Sequence, residues 1–237
     1  MTRVLHRLSR SRIDFPPPEE ALEEPNGLLA VGGDLSPKRI ERAYRSGIFP
    51  WFETGGPLLW WSPDPRAVLR PGDLKISRSL GKRLRRGDYA VTIDTAFDAV
   101  IAACAGPRPN ATGTWITSDM QAAYRHLHEI GYAHSFETWR GDELVGGLYG
   151  VSWGAAFFGE SMFARADDAS KVAFCHLHAL ALQRGFEMID CQMPTSHLLS
   201  LGVRDMPRAT FLQLLAHSQR APTLRGPWTA AEPGPAP

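Results

Sequence analysis

The sequence predicts an α+β fold in which the C-terminal part of the chain carries a mixed β-sheet. From about Tyr132 onward, apolar runs and turn residues follow the order strand, strand, strand, helix, strand, helix. The Gly141-Asp142 pair between the first two strands is typical of an antiparallel hairpin. A helix that connects two neighbouring strands implies a parallel pairing, so both kinds of pairing are expected in one sheet.

The four strands of this region are separated by glycine-containing turns. They are predicted over residues 134–139, 143–149, 155–163 and 186–192. Helix starts are marked by capping residues, beginning with Ser36-Pro37 in a helix that Gly47 ends. The predicted starts of the later helices are Asp94, Asp119, Asp168 or Ser170, and Pro207.

Composition excludes several classes of protein. The chain has 237 residues, 43% of them hydrophobic, and a net charge of +1, which is typical of a globular protein and not of a disordered one. No apolar run approaches the roughly 20 residues of a membrane-spanning helix, and no secretory signal is expected. Three cysteines without a CxxC pair favour a reducing compartment, which predicts a cytoplasmic location.

A strongly basic segment, RPGDLKISRSLGKRLRRG, runs from Arg70 to Gly87 and holds seven basic residues and one acidic residue. Such a positive surface attracts a polyanion, although a solvated helix face is the alternative interpretation. The candidate nucleic-acid-binding residues are Lys75, Arg78, Lys82, Arg83, Arg85 and Arg86.

Two aromatic segments, GIFPWF and LLWWSPDPRAVL, are interrupted by prolines and do not fit a regular strand or helix. Rigid aromatic loops suit the stacking of a base, and packing on the core is the equal alternative.

Polar side chains also interrupt two apolar strands. Glu160 lies within FFGESMF, and Asp190 and Gln192 lie in MIDCQ. Because residues two apart on a strand point the same way, Asp190 and Gln192 are expected on one face, where Glu160 could join them. A structural network at a strand end is the alternative, because a buried carboxylate must be paired or hydrogen-bonded.

No metal site is predicted, because the histidines and cysteines lack the spacing of metal ligands.

The order of strands and helices resembles the core of the N-acetyltransferase superfamily. In those enzymes a glycine-rich loop before the helix holds the pyrophosphate of coenzyme A. Here the corresponding loop, ARADDASK, has no glycine and two aspartates, which would repel a pyrophosphate. A coenzyme A donor is therefore not expected.

Longer motifs resemble one family, the leucyl/phenylalanyl-tRNA–protein transferases. The matching segments are EPNGLLAVGGDLSP, GIFPWF, WWSPDPRAVL, GTWIT, ELVGGLYGV, GESMF and IDCQ, and the resemblance extends from residue 14 to about residue 215. It implies transfer of leucine or phenylalanine, with methionine as a further candidate, from aminoacyl-tRNA to the α-amino group of proteins that begin with Arg or Lys, which marks them for degradation by the N-degron pathway. Because the donor is already an activated ester, no cofactor or metal is implied.

The resemblance also assigns roles by position. Asp190 would orient Gln192, whose amide oxygen would accept a hydrogen bond from the attacking amine, and Glu160 would position a substrate. Trp51 and Trp115, with Tyr44 nearby, would hold the terminal adenosine of the tRNA. The amino acid side chain would enter a pocket formed by Leu148, Phe157, Met162, Phe174, Leu177 and Ile189. Leu148 and Phe174 depart from the methionine and leucine expected there, and both remain apolar.

Three regions are expected along the chain: an N-terminal α/β domain with the aromatic loops over residues 1–69, an N-acetyltransferase-like catalytic domain over residues 70–220, and a disordered, proline-rich tail over residues 221–237. Balanced charge and the lack of a heptad favour a monomer. Two alternatives remain open: an inactive RNA-binding relative, and a coenzyme A-dependent N-acyltransferase.

Overall fold

The computed structural model describes residues 3–106 and 114–228. Within these ranges the strands are β1 (His6–Leu8), β2 (Leu28–Gly32), β3 (Phe49–Pro50), β4 (Leu59–Trp61), β5 (Arg66–Leu69), β6 (Ala90–Ile93), β7 (Ala133–Arg140), β8 (Glu143–Trp153), β9 (Ala156–Ala164), β10 (Met188–Gln192) and β11 (Arg204–Met206). The helices are α1 (Pro37–Arg45), α2 (Arg78–Arg86), α3 (Phe97–Cys104), α4 (Ser118–Glu129), α5 (Ala169–Gln183), α6 (Ser196–Ser200) and α7 (Arg208–Ser218).

The strands form two sheets. A four-stranded sheet has the order β1-β2-β4-β3, and a seven-stranded sheet has the order β11-β5-β10-β9-β8-β7-β6. In the larger sheet β9 and β10 are parallel and every other pair is antiparallel, which confirms the expected mixed sheet. Arg140 pairs with Glu143 across the predicted hairpin turn, which is also confirmed.

The larger sheet is covered on both faces. Side chains of α3 and α4, such as Phe97 and Tyr124, pack into one buried apolar cluster. Side chains of α2 and α5, such as Leu80 and Leu177, pack into a second cluster. Because both faces are buried, the central strands are apolar and the few polar side chains on them need internal partners. None of the helices described is long and apolar enough to cross a membrane.

The parallel pair β9 and β10 separates partway along its length. The last paired residues are Phe158 and Asp190, and both strands continue beyond them. A bulge follows Asp190, and Gln192 has a φ of +63°, a left-handed conformation that is uncommon for residues other than glycine. The end of β10 therefore turns away from β9, which leaves a gap in the sheet.

Three sequence-based expectations about local structure were wrong. The segment 58–69 is not irregular, because it contains β4 and β5, and β5 joins the seven-stranded sheet. Asp94 does not cap α3, because its carboxylate accepts hydrogen bonds from the backbone of Ser135 and Trp228. Thr117 caps α4 in place of Asp119, which lies inside the first turn.

The C-terminal segment packs against the larger sheet. Trp228 is 3% exposed and stacks on the buried His134, with 3.5 Å between ring centroids. Residues 221–228 therefore correct the expectation of disorder from residue 221, because an apolar indole there has a buried site to fill. The rest of the expected tail, residues 229–237, lies outside the described ranges.

Candidate active site

A cavity of about 260 Å³ occupies the gap between β9 and β10. Residues of β9 from Gly159 to Met162 line one side, and residues from Cys191 to Met193 line the other. Eight of the predicted site residues line it: Trp51, Trp115, Leu148, Glu160, Met162, Phe174, Leu177 and Gln192. The cavity therefore brings two indoles, an apolar pocket and two polar groups together.

Gln192 presents its side chain to this cavity. Its amide nitrogen donates to Glu160 Oε1 at 2.7 Å. That bond orients the amide, so its oxygen is the atom available to a bound group. The left-handed backbone of Gln192 is held by a hydrogen bond from its own N–H to Asp190 Oδ1 at 2.8 Å.

Glu160 lies at the centre of a buried hydrogen-bond network. Tyr44 donates to Oε1 at 2.6 Å and Tyr124 donates to Oε2 at 2.9 Å, while the two hydroxyl oxygens are 2.5 Å apart. Two hydroxyl protons cannot fill three oxygen–oxygen contacts, so all three are hydrogen bonds only when the carboxyl group carries a proton and donates it to one of the two tyrosines. Burial raises the pKa of Glu160 to about 7, against the lowering effect of its three hydrogen-bond donors.

Asp190 does not face the cavity. Its carboxylate forms a two-pronged ion pair with Arg66, with distances of 2.9 and 2.7 Å, and both side chains are fully buried. The Arg66 guanidinium lies over the rings of Phe49 and Phe211 and donates to the Gly47 carbonyl. The expectation that Asp190 and Gln192 share one face was wrong, because the bulge between them breaks the two-residue alternation.

The aromatic wall of the cavity is fixed by its neighbours. Trp61 Nε1 donates to the carbonyl of Trp51 at 2.6 Å, and the two indoles meet edge to face at 5.3 Å. Trp51 is half-buried and so keeps a surface that a ring could cover. Trp115 lies just beyond the undescribed residues 107–113 and lines the same cavity.

Three residues predicted to contact a substrate do not line the cavity. Tyr44, Phe157 and Ile189 are all 0% exposed. Tyr44 acts on the cavity through Glu160, whereas Phe157 and Ile189 pack in the apolar cluster behind the pocket. The last two share a buried apolar cluster with the lining residues Leu148, Phe174 and Leu177, so they lie one layer behind the pocket wall and on the same side of the sheet.

The basic segment forms helix α2 and the loop that precedes it. Exposed positions are occupied by Lys75, Arg78, Lys82, Arg85 and Arg86. Arg83 differs, because it is half-buried and 3.5 Å from both Asp88 and Asp168. Asp168 is the N-cap residue of α5, so Arg83 ties α2 to α5 and is less free to contact a ligand.

Sequence reasoning missed Arg66 and Tyr124. Tyr124 gave no signal, because it lies with Met120 and Leu127 on an apolar helix face. Arg66 could have been found, because the requirement that a buried Asp190 be paired calls for a cation in an apolar strand. The segment RAVL offers one such cation next to the aromatic motif.

The cavity contains one thiol but no thiolate. Burial raises the pKa of Cys191 far above its usual range, so it stays protonated at neutral pH and is a poor nucleophile. Among the described residues, no three His, Cys, Asp or Glu side chains converge as a metal site.

Known proteins resemble this chain closely. The family profile described as leucyl/phenylalanyl-tRNA protein transferase matches residues 68–216, and the profile of that family's N-terminal domain matches residues 33–64. The leucyl/phenylalanyl-tRNA–protein transferase of Stutzerimonas stutzeri is 61% identical over 213 residues, which cover 90% of this chain and 94% of that protein.

The protein of the same name from Ectopseudomonas mendocina is 59% identical over 227 residues, covering 96% of this chain and all of that protein. Among solved structures, L-PGS from Bacillus licheniformis has a TM-score of 0.41 at 12% identity, covering 71% of this chain and 54% of that one, too weak a likeness to support a conclusion. On the profile match and the high identities along nearly its full length, the chain belongs to the family of leucyl/phenylalanyl-tRNA–protein transferases.

Proposed function

We propose that this protein transfers leucine or phenylalanine from aminoacyl-tRNA to the α-amino group of proteins that begin with Arg or Lys. The observation that carries the proposal is the cavity between β9 and β10. It places an apolar pocket, two indoles and an oriented amide within one space of about 260 Å³. An amino acid ester of adenosine has matching parts: an apolar side chain, a purine and a reactive carbonyl.

The donor would be bound by three surfaces. The indoles of Trp51 and Trp115 would stack on the terminal adenine, because aromatic stacking accepts a base without a sequence code. Leu148, Met162, Phe174 and Leu177 would take the amino acid side chain. The exposed cations of α2 would contact phosphates of the acceptor stem, which position a nucleic acid without reading its bases.

The transfer itself requires little activation. The amine nitrogen attacks the ester carbonyl, a C–N bond forms, the C–O bond to the ribose breaks, and the amine proton passes to the departing ribose oxygen. An α-amino group titrates at about 7.7–8.0, so a useful fraction is neutral at physiological pH. The Gln192 amide oxygen would accept a hydrogen bond from this amine and hold it against the carbonyl.

Glu160 and Asp190 act on Gln192 by different routes. Glu160 accepts the Gln192 amide N–H and so fixes the direction of the side chain. Asp190, held by Arg66, accepts the Gln192 backbone N–H and so fixes the bulge. Both would position the catalytic amide, which alone of the three would contact the amine.

A coenzyme A donor fits this chain poorly. Although the separated parallel strands and the crossover helix suit an N-acetyltransferase-like domain, the N-cap residue of α5 is Asp168. Its carboxylate is 2.8 Å from Lys171 and 3.5 Å from Arg83. A pyrophosphate at this helix end would have to displace that carboxylate, and aminoacyl-tRNA needs no such site.

The same proposal has three consequences for the cell. Proteins that receive leucine or phenylalanine would be marked for degradation through the N-degron pathway. The enzyme would act in the cytoplasm, where its three thiols, at Cys104, Cys175 and Cys191, would stay reduced. It would act as a monomer, because balanced charge and the lack of a heptad favour that state.

The test uses the purified protein with a peptide that begins with Arg. Labelled leucyl-tRNA should transfer its label to the peptide, and acetyl-CoA should not acetylate it. Binding of deacylated tRNA without any transfer would support an inactive RNA-binding relative, and acetylation would support a coenzyme A-dependent enzyme. Either result would overturn the proposal.

A further inference from the structure

A second cavity of about 270 Å³ lies beside the first and shares one wall with it. Its wall is aromatic, formed by Trp51, Phe52 and Trp61, and one carboxylate, that of Glu53, stands at its edge. Trp51 lines both cavities. Only the Trp51 indole therefore separates a molecule bound in one cavity from the other cavity.

The second cavity is held in shape by hydrogen bonds. Trp61 is bonded to the Trp51 carbonyl, and the Gly56 N–H donates to the Glu53 carbonyl at 2.9 Å, which closes a tight turn. The Thr54 hydroxyl donates to the carbonyl of Thr114, next to Trp115 in the first cavity, at 3.3 Å. The loop that carries Glu53 is thus tied to the wall of the first cavity.

Among the described residues, none offers the first cavity a free carboxylate for a cationic acceptor. Of the described residues that line it, only Glu160 is acidic, and its carboxyl group shares its protons with Tyr44 and Tyr124. Asp190 lies behind the lining and is fully paired with Arg66. An Arg or Lys side chain therefore needs a negative partner elsewhere.

Glu53 meets that need. It is exposed, and it makes no ion pair with any cation in the described ranges. A carboxylate beside indole faces is a good environment for a guanidinium or an ammonium group, since the aromatic faces attract the cation and the carboxylate pairs with it. The combination is more specific for a cation than either group alone.

We propose that the second cavity, with Trp51, Phe52, Glu53 and Trp61, binds the basic side chain of the acceptor's first residue. The inference rests on the proposed function and locates the acceptor half of its substrate. The α-amine would enter the first cavity beside Gln192, while the long stem of Arg or Lys passes over Trp51. Acceptor selectivity then comes from the aromatic cage and Glu53, apart from the groups that perform the transfer.

A nucleotide is the other ligand that aromatic walls suit. The Glu53 carboxylate disfavours it, because the phosphates next to a bound base would be repelled. The two occupants also differ in the kinetic parameter they affect: loss of an acceptor site raises the KM for peptide, whereas loss of a nucleotide site raises the KM for aminoacyl-tRNA.

The test measures transfer from leucyl-tRNA to two peptides, one beginning with Arg and one with the neutral isostere citrulline, at low ionic strength. Glu53→Gln should raise the KM for the Arg peptide about two- to fivefold, as expected for an exposed charge pair, with kcat unchanged. The citrulline peptide should be unaffected. Phe52→Leu should raise the same KM about two- to fivefold through the lost aromatic face.

Glu143→Gln is the matched control. It also removes one exposed carboxylate, but at the β7–β8 turn, and it should change the KM for neither peptide. If Glu53→Gln and wild type have the same KM for the Arg peptide, the acceptor site lies elsewhere. A raised KM for aminoacyl-tRNA alone would assign the cavity to a nucleotide and overturn the inference. If wild type transfers to neither peptide, the proposed function itself has failed.

Discussion

Asp190 accepts a hydrogen bond from the backbone N–H of Gln192, and its buried charge is balanced by Arg66. The two charges are fully buried against each other, so neither is solvated by water. Removing one partner of such a pair typically costs about 3–5 kcal/mol, because the other charge is left buried and unpaired. Loss of activity in Asp190→Ala would therefore not by itself identify a catalytic group.

We expect Asp190→Ala to lower the free energy of unfolding by about 3–5 kcal/mol in urea denaturation, because the Arg66 charge stays buried. The double variant Arg66→Met with Asp190→Leu should recover most of that loss, since no unpaired charge remains. A single variant as stable as wild type would show that the pair is not buried in solution.

The raised pKa of Glu160 predicts a pH dependence of stability. A carboxyl group with a pKa of about 7 when folded and an ordinary value of 4.5 binds its proton more tightly in the folded state. The stability that this bound proton gives the folded state is therefore complete below about pH 4.5 and is lost as the pH rises to about 7 and beyond.

As the pH rises from 4.5 to 8, the free energy of unfolding of wild type should fall by about 3 kcal/mol relative to that of Glu160→Gln, because the buried carboxyl group must ionise. Urea denaturation of both proteins across this range gives the difference, and the variant corrects for all other titrating groups. A difference that stays constant, or that grows in favour of wild type with rising pH, would contradict the buried, proton-sharing network.

At the scale of elements, helix α2 presents its charges unequally. Lys82, Arg85 and Arg86 are exposed, whereas Arg83 is held by acidic residues at the starts of neighbouring segments. Neutralising Arg83 together with the others would mix a loss of tRNA contacts with a loss of α2–α5 attachment. The clean variant leaves Arg83 in place.

Changing Lys82, Arg85 and Arg86 to Gln should weaken binding of aminoacyl-tRNA and leave the KM for the acceptor peptide unchanged. Each lost phosphate contact should flatten the log–log salt dependence of binding by about 0.7–0.9. A control that changes the exposed Lys38, Arg204 and Arg220 to Gln removes the same net charge. Parallel slopes for wild type and the α2 variant would show that α2 is a solvated surface.

The elements that could be predicted from sequence are those determined by residues close together in the chain. Glycine turns and apolar alternation located β7 to β10, and the crossover helix fixed one parallel pairing. The divergence of β9 from β10 could not be predicted, because it depends on a bulge at Gln192 that is stabilised by Arg66, distant in sequence. Phe157 and Ile189 were predicted to line the pocket and lie behind it, because strand position alone does not show which side chains of one buried cluster reach the cavity.

At the scale of the whole molecule, the proposed substrates approach from surfaces of opposite character. Exposed cations of α2 would attract the polyanionic donor, and Glu53 with its aromatic neighbours would suit the cationic acceptor. The cavity with Gln192 is the place where the two substrates would meet. The net charge of +1 does not reveal the cluster of cations on α2, because basic and acidic residues nearly cancel over the whole chain.

The central claim is that the Gln192 amide holds the amine against the aminoacyl ester. The most direct test is the single-turnover rate of transfer from bound leucyl-tRNA to an Arg peptide in Gln192→Asn. Asparagine tolerates the left-handed backbone there, so the change shortens the amide arm with little strain. We predict a rate about 10²–10⁴-fold lower with unchanged affinity for leucyl-tRNA. Transfer at the wild-type rate would contradict the account.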